Sequence, residues 1–275
     1  MLLLYSGNWI LGVPLSALAA MGTQEVYRLA AHTGVDPFRF TGATGAAALV
    51  LAGTWQGTFV AFAPWALSIV GTVLLISLIL AVSNRGATGG PLGAVSVTMA
   101  GCLYCGLSLS FVPLTLMFPA AESWGGTTGV PWLGVAVIAL PLAITWIGDA
   151  VAFFAGSKWG EHKLAPSISP NKTWLGSWSG LGATIAVGIL WYFVTSPYLV
   201  GMPINSFLMA GLVGAVLGMS AQVGDLVISV FKREAGVKDT GTIFPGHGGI
   251  LDRIDSIAFT VPISYAVLAL LAKIQ

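Results

Sequence analysis

Long apolar runs make up most of this chain, and they set the strictest limit on how it can fold. Stretches such as "FLMAGLVGAVLGMSAQVG" and "IAFTVPISYAVLALLA" contain no charged residue. Over the whole chain only 8% of residues are charged and 56% are hydrophobic, whereas about a quarter of residues are charged in a typical soluble domain. Because so few charges cannot cover a water-exposed surface, most of the exterior must face lipid.

The apolar runs have the length of membrane-spanning helices, which need about 20 mainly apolar residues each. Eight such runs lie near residues 9–29, 42–60, 62–83, 91–118, 130–156, 174–195, 204–231 and 254–273. The fourth and fifth runs are long enough to be tilted or broken, which leaves nine spans open. We therefore predict an all-α, polytopic integral membrane protein with about eight to nine transmembrane helices.

The basic residues fall in every second connection between these runs. The connections near 61, 119–129 and 196–203 contain neither Lys nor Arg, and only Lys273 lies outside the alternation. Since loops rich in Lys and Arg stay on the cytoplasmic side, we predict an inner-membrane protein with cytoplasmic basic loops and the N-terminus outside. The net charge of +1 and the lack of a basic arm argue against a nucleic-acid partner.

The two cysteines form a C-x-x-C pair, Cys102 and Cys105, in the run "AGCLYCGLSL". This spacing can indicate a metal or redox site. However, no His, Asp or second cysteine pair lies nearby in the sequence. The favoured interpretation is that both pack as small side chains within a helix.

The chain is predicted to divide into N-terminal transmembrane helices, residues 1–128, and a C-terminal catalytic region, residues 129–275. The second region contains two predicted cytoplasmic loops, and these hold the candidate catalytic and binding residues.

The first loop reads "TWIGDAVAFFAGSKWGEHKLAPSISPNKTWLGSWSG". Asp149 lies within the end of an apolar run, where an ionised carboxylate is costly and usually functional. Ser169, Lys172 and Thr173 belong to "SPNKT", a predicted turn just before a helix. Hydroxyls and a lysine at a helix N-terminus suit an anionic group. The open alternative is an ordinary turn in which Ser or Thr caps the next helix.

The second loop, "KREAGVKDTGTIFPGHGGILDRID", holds eight of the chain's 21 charged residues. It follows a helical segment in which Asp225 and Ser229 are four residues apart and share a face. Lys232 and Arg233 come next, where that helix is predicted to reach the membrane interface.

Glycines and two further aspartates complete the second loop. The glycines are Gly241, Gly246, Gly248 and Gly249. Such a loop can surround phosphates with backbone N–H groups, although glycine content alone is weak support. His247 lies among the glycines, and Asp252 and Asp255 are three apart as the last helix begins.

Three aspartates at a membrane boundary, Asp225, Asp252 and Asp255, predict a divalent-metal site. Mg²⁺ usually binds one or two carboxylates together with substrate phosphates, and Lys and Arg suit the phosphates themselves. The alternative is a solvated loop of salt bridges positioned by membrane topology. That alternative accounts for Lys and Arg but not for the closely ordered aspartates, glycines and histidine.

These motifs resemble those of the phosphatidate cytidylyltransferases, or CDP-diacylglycerol synthases. The family pattern of Ser-x-x-Lys-Arg, four residues and Lys-Asp is present as "SVFKREAGVKD", followed by "PGHGG" and "DRID". Gly224 and Asp225 match the upstream Gly-Asp pair. The chain has "SPNKTWLG" where the family commonly has "SPKKTWEG", so Asn171 and Leu175 depart from the pattern and no role is carried over to Leu175. The resemblance covers about residues 145–256.

The resemblance implies a reaction in which CTP and phosphatidic acid give CDP-diacylglycerol and pyrophosphate at the cytoplasmic membrane interface. Asp225 and Asp252 would bind the metal, Mg²⁺, supported by Asp255 and Asp149. The implied ligands of the triphosphate and the lipid phosphate are Lys172, Lys232, Arg233, Lys238 and Arg253. His247, Gly248 and Gly249 would line the phosphate loop, and the candidate hydrogen-bond donors are Ser169, Thr173 and Ser229. The family also implies a second, monovalent cation such as K⁺ and a homodimer.

Two other functions are alternatives to the cytidylyltransferase reaction. In an ion-coupled transporter, Asp149 and Asp225 would bind the coupling ion near the membrane centre. A CDP-alcohol phosphatidyltransferase would carry the pattern D-x-x-D-G-x-x-A-R, which this sequence lacks. A membrane scaffold without an active site is a third and less specific possibility.

Overall fold

The structure is a computed structural model of the 275-residue chain, and it describes residues 8–121, 131–198, 202–241 and 248–274. These residues are mainly helical, and one short antiparallel hairpin interrupts the helices. The prediction of an α-helical chain is therefore confirmed, with the hairpin as an addition that the sequence did not predict.

The first part of the chain consists of helices alone. In order they are α1 Asn8–His32, α2 Arg39–Gln56, α3 Phe59–Asn84, α4 Pro91–Gly101, a π-helical turn Cys102–Leu107 and α5 Ser108–Ala121. The second part contains α6 Pro131–Trp159, β1 Lys163–Ala165, β2 Ser169–Thr173, α7 Trp174–Thr195, α8 Phe207–Glu234, α9 Leu251–Ile254 and α10 Ile257–Ile274.

Six segments of the described chain are long and apolar enough to cross a membrane. They are Phe59–Asn84, Pro91–Phe118, Leu133–Trp159, Trp174–Thr195, Phe207–Glu234 and Leu251–Ile274. This finding supports an integral membrane protein. The predicted runs near 9–29 and 42–60 form α1 and α2, which are helical but are not among the six, so the count of eight to nine spans stays a prediction.

The C-x-x-C pair lies in the π-helical turn within one of these segments. Cys102 and Cys105 are both free thiols and both fully buried. Their burial in a packed helical segment agrees with the interpretation that they serve as small packing residues.

The chain folds into two compact units. The first consists of Met1–Leu114 with Phe231–Ile254, and the second of Thr115–Val230 with Asp255–Gln275. The sequence predicts a different kind of division, into two consecutive regions that meet between residues 128 and 129. That division stays a prediction.

In the first unit, α1 packs against α2 and against the region around the π-helical turn. The Tyr27 side chain is fully buried, and its hydroxyl donates to the Thr98 carbonyl at 2.7 Å. At the surface Arg85 pairs with Asp36 at 2.6 Å, which ties the end of α3 to the α1–α2 connection.

In the second unit, α6 and α7 pack along each other, and α8 and α10 complete the core. The Trp191 indole N–H of α7 donates to the Ala136 carbonyl of α6 at 2.7 Å. Close approach of α6 and α7 depends on Gly176, because a Cβ there would lie 2.6 Å from the Ala152 carbonyl oxygen.

The hairpin lies between α6 and α7, and it corrects the prediction that "SPNKT" forms a turn. Ser169–Thr173 is instead strand β2, which pairs with β1 in the register Lys163 to Thr173 and Ala165 to Ser169. Pro170 is tolerated because a two-stranded sheet leaves one edge of each strand without ladder bonds. The capping alternative is confirmed for Thr173, whose hydroxyl oxygen accepts from the Gly176 N–H at 3.1 Å.

The helix contact at Gly176 leads to a prediction about stability. Gly176→Ala places a methyl group against the α6 backbone, and such overpacking typically costs about 1–3 kcal/mol. We expect a lower thermal unfolding temperature in detergent. The matched control is Gly182→Ala on the same helix, where a Cβ would meet nothing within 4 Å. Equal unfolding temperatures for the two variants would contradict the proposed contact.

Candidate active site

The predicted site residues fall into two groups, one in each unit. In the second unit, the hairpin together with α6, α7 and α8 surrounds a cavity of about 570 Å³. The polar residues that line it include Asp149, Lys163, Asn171, Lys172, Thr173, Ser177, Gln222 and Asp225. The structure therefore brings together four residues that the sequence singled out in separate motifs: Asp149, Lys172, Thr173 and Asp225.

An ion pair joins the two motifs across this cavity. Lys172 Nζ of β2 lies 2.6 Å from Asp225 Oδ2 of α8, and both side chains are partly exposed. Ser229, one helical turn after Asp225, donates its hydroxyl to Asp225 Oδ1 at 3.3 Å. The predicted shared face of Asp225 and Ser229 is therefore observed, and the aspartate carboxylate points toward the hairpin lysine.

A second polar pair in the cavity was not included among the predicted site residues. Ser177 donates its hydroxyl to the Gln222 side-chain oxygen, and Gln222 Nε2 donates to the Ser177 carbonyl at 3.1 Å. These two bonds fix the orientation of the Gln222 amide. Lys163 of β1 also lines the cavity, although the sequence analysis used it only for topology.

In the first unit, Asp252 is held by four hydrogen bonds. Lys232 Nζ lies 2.7 Å from its Oδ1. Its Oδ2 accepts from the Thr240 N–H at 2.9 Å, from the Thr240 hydroxyl at 2.9 Å and from the Gly249 N–H at 3.0 Å. Asp252 is thus a largely buried carboxylate whose orientation is set by both ends of the glycine-containing segment.

Glu25 is a buried carboxylate that the sequence analysis did not select. It lies on α1 with no exposed surface. Its oxygens accept from the Thr240 hydroxyl at 2.8 Å, the Ile250 N–H at 3.0 Å and the Leu251 N–H at 2.8 Å. The sequence feature that could have identified Glu25 is a carboxylate within an apolar run, because such residues are rare in membrane-spanning segments and usually functional.

The remaining predicted residues belong to both units. Arg233, Lys238 and Arg253 are exposed, and Ser169 is half-buried on β2. Asp255 lies in the turn before α10, where its Oδ1 accepts from the Ser256 N–H at 2.6 Å. His247 lies outside the described residues. The roles of all these residues as ligands stay predictions.

The candidate metal ligands are carboxylates that belong to both units, Asp149 and Asp225 to the second and Asp252 to the first. Within the described ranges, no group of three or more His, Cys, Asp or Glu side chains is arranged to hold a metal. Asp149, Asp225 and Asp252 nevertheless offer hard oxygen donors, of the kind that bind Mg²⁺ in ones or twos together with phosphates. These donors agree in chemistry with the predicted Mg²⁺ ligands, and their role as ligands stays a prediction.

Comparison with known families identifies the family of this chain. The chain matches the model of the cytidylyltransferase family over residues 1–271. The chain belongs to the cytidylyltransferase family. The resemblance inferred from the motifs is thereby confirmed.

Individual relatives of this cytidylyltransferase carry a more specific name. It is 31% identical over 292 residues to the phosphatidate cytidylyltransferase of Synechocystis sp., an alignment that covers 99% of this chain and 92% of the relative. It is 45% identical over 130 residues to the phosphatidate cytidylyltransferase of Staphylococcus epidermidis, covering 47% and 48% of the two chains. With the Rickettsia bellii phosphatidate cytidylyltransferase it shares 41% identity over 129 residues, covering 47% and 56%.

The geometry of Gly248 generates a prediction for this cytidylyltransferase. Gly248 has φ +80°, and a Cβ there would lie 2.7 Å from Asp252 Oδ2. Gly248→Ala therefore adds left-handed backbone strain, worth about 1–2 kcal/mol, and also displaces Asp252. The matched control is Gly236→Ala, at φ +69° with open space around the added methyl group.

We expect Gly248→Ala to lower the thermal unfolding temperature in detergent more than Gly236→Ala does. If the two variants lose the same stability, backbone strain alone accounts for the effect and the contact with Asp252 contributes nothing.

Proposed function

We propose that this cytidylyltransferase transfers a cytidylyl group from CTP to phosphatidic acid, giving CDP-diacylglycerol and pyrophosphate. The main support is the cavity in which Lys172 and Asp225 form a 2.6 Å ion pair beside Asp149. A lysine and carboxylates around an open space of about 570 Å³ suit a polyphosphate and its cation. The names of the relatives supply the identity of the two substrates.

The reaction itself requires positioning and neutralisation of charge more than covalent catalysis. A phosphate oxygen of phosphatidic acid attacks the α-phosphorus of CTP and forms a new P–O bond. The bond from the α-phosphorus to the oxygen that bridges to the β-phosphate breaks, and pyrophosphate leaves with that electron pair. No general base is required, because the attacking phosphate is already anionic.

Each protein group has a separate task in this proposal. Lys172 and Lys232, which form ion pairs with aspartates, are the proposed ligands of the substrate phosphates, and Arg233, Lys238 and Arg253 are further candidates. Asp225 and Asp252 are the proposed Mg²⁺ ligands, supported by Asp149 and Asp255. When bound, the ion would neutralise charge on the triphosphate. Ser229 fixes the Asp225 carboxylate through its hydroxyl.

The central experiment measures CDP-diacylglycerol formation by detergent-purified protein supplied with CTP, phosphatidic acid and Mg²⁺. Asp225→Asn and Asp252→Asn each remove a carboxylate that is proposed to bind Mg²⁺. Since metal-ion stabilisation of a transition state amounts to several kcal/mol, we expect each variant to lose about a hundred-fold or more in rate. Asp36→Asn, at an exposed ion pair outside the candidate site, is the matched control and should retain the wild-type rate.

Two outcomes would contradict this proposal. If the aspartate variants keep their rates while the wild type is active, the assigned metal roles are wrong. If the folded wild-type protein makes no product with any nucleotide but moves a cation across vesicles, an ion-coupled transporter replaces the enzyme.

We further propose that the reaction takes place at the cytoplasmic face of the inner membrane. CTP is cytosolic and phosphatidic acid is a bilayer lipid, so the two meet at that interface. The alternating positions of Lys and Arg support eight spans, or nine with one broken helix, and an external N-terminus. A homodimer and a second, monovalent cation such as K⁺ are further expectations from the family.

The proposed topology can be tested by labelling from one side of the membrane. Ser167→Cys lies in the hairpin before α7, and Pro197→Cys lies just after α7; both positions are exposed. In intact cells we expect an impermeant maleimide to label Pro197→Cys but to label Ser167→Cys only after lysis. The native thiols Cys102 and Cys105 are buried, so the wild-type chain serves as the background control. Equal labelling of both positions in intact cells would contradict the topology.

A further inference from the structure

We infer that Glu25 is a positioning residue that holds Asp252 in place through Thr240 and the N-terminus of α9. As far as it concerns catalysis, this inference rests on the proposed function, in which Asp252 takes part in cytidylyl transfer. Glu25 lies in α1, far from the motifs in sequence: its partner Thr240 is 215 residues away.

Hydrogen-bond donors of the protein surround the buried Glu25 carboxylate. Glu25 is fully buried, and its two oxygens accept three hydrogen bonds, from the Thr240 hydroxyl and the N–H groups of Ile250 and Leu251. Within the described residues no Lys or Arg forms an ion pair with it. Because a buried carboxylate without hydrogen bonds is very costly, these donors are what makes its position stable.

Two glycines provide the space for this carboxylate. A Cβ at Gly241 would lie 2.4 Å from Glu25 Oε1, and a Cβ at Gly249 would lie 2.3 Å from Glu25 Oε2. Any larger residue at either position would collide with the Glu25 side chain. Gly241 and Gly249 therefore have a structural task, and the phosphate contact predicted from the sequence for this loop stays a prediction.

Three consecutive backbone N–H groups bond to the two carboxylates, one to Asp252 and two to Glu25. The Gly249 N–H donates to Asp252, whereas the N–H groups of Ile250 and Leu251 donate to Glu25. These three donors are thus used by the protein's own carboxylates. Their arrangement fixes the backbone that leads into α9, and Asp252 is the second residue of that helix.

Thr240 connects the two carboxylates directly. Its hydroxyl lies 2.8 Å from Glu25 Oε2 and 2.9 Å from Asp252 Oδ2, and its N–H donates to the same Asp252 oxygen at 2.9 Å. A hydroxyl has one hydrogen to donate, so Glu25 and Asp252 share it. Loss of Glu25 would leave that hydrogen to Asp252 alone and would release the backbone that orients Asp252.

The test compares Glu25→Gln and Thr240→Val with Thr240→Ser, which keeps the hydroxyl. Loss of a group that orients a metal-binding residue typically costs about ten- to a hundred-fold in activity, and we expect that loss in kcat for Glu25→Gln and Thr240→Val. The Mg²⁺ concentration that gives half the maximal rate should rise, while KM for phosphatidic acid stays unchanged. Thr240→Ser should restore kcat.

The matched control is Thr54→Val, which removes another buried threonine hydroxyl in the same unit. Among the residues that the structure describes, that hydroxyl bonds only to the Val50 carbonyl of its own helix. Thr54→Val should keep the wild-type kcat and Mg²⁺ requirement. A purely structural role of Glu25 would change the unfolding temperature but not the Mg²⁺ requirement.

A double variant tests whether Glu25 acts through Thr240. If it does, Glu25→Gln with Thr240→Val loses no more activity than the more damaging single variant, because residues in one network are not additive. Losses that multiply would overturn the inference, and so would a wild-type kcat in folded Thr240→Val. If Glu25→Gln does not fold, the comparison of Thr240→Val with Thr240→Ser decides the matter.

Hydrogen–deuterium exchange provides a readout that does not depend on activity. At least one of the amides of Ile250 and Leu251 should exchange faster in folded Glu25→Gln than in Thr54→Val, because the two amides bond to different Glu25 oxygens and glutamine keeps only one of them. If the wild type proves inactive, the proposed function fails but this measurement still decides whether Glu25 holds the segment. Unchanged exchange at both amides would overturn the inference.

Discussion

The Lys172–Asp225 and Lys232–Asp252 pairs show how this chain keeps charge within apolar helices. Only 8% of its residues are charged, and the two lysines lie 2.6 and 2.7 Å from their carboxylates. An isolated charge in apolar surroundings is costly, and removing one partner of a buried pair is usually far worse than removing both. The placement of helices, hairpin and glycine segment around these pairs satisfies that constraint.

Under the proposed function, the same pairs have a further role. Each lysine that pairs with an aspartate would turn to a substrate phosphate, and that aspartate would bind the cation that accompanies the nucleotide. Every charge of the pair would then keep a partner of opposite sign. Lys172 and Asp225 are each more than a quarter exposed, whereas Lys232 and Asp252 are 15% and 12% exposed. The first pair is therefore the weaker one and the easier one to exchange.

Local spacing allows one contact of the candidate site to be predicted from the sequence. Asp225 and Ser229 are four residues apart on one helix, and that spacing alone predicts the observed contact. The cavity could not be predicted in the same way. It depends on a hairpin that brings Lys172 to Asp225, and on the close crossing of α6 and α7 at Gly176. "SPNKT" was assigned to a turn because its proline and polar residues favour turns, yet pairing with β1 overrides that local preference.

The glycines in the loop before α9 could not be assigned a single role from the amino-acid composition of that loop. Gly241 and Gly249 predict a backbone open to phosphate, and in the structure they make room for the Glu25 carboxylate. A bound phosphate and an internal carboxylate make the same demand on a backbone, namely N–H donors without a nearby Cβ, so sequence alone cannot distinguish them. The family match includes α1, which supplies the buried carboxylate that accepts from Thr240, Ile250 and Leu251.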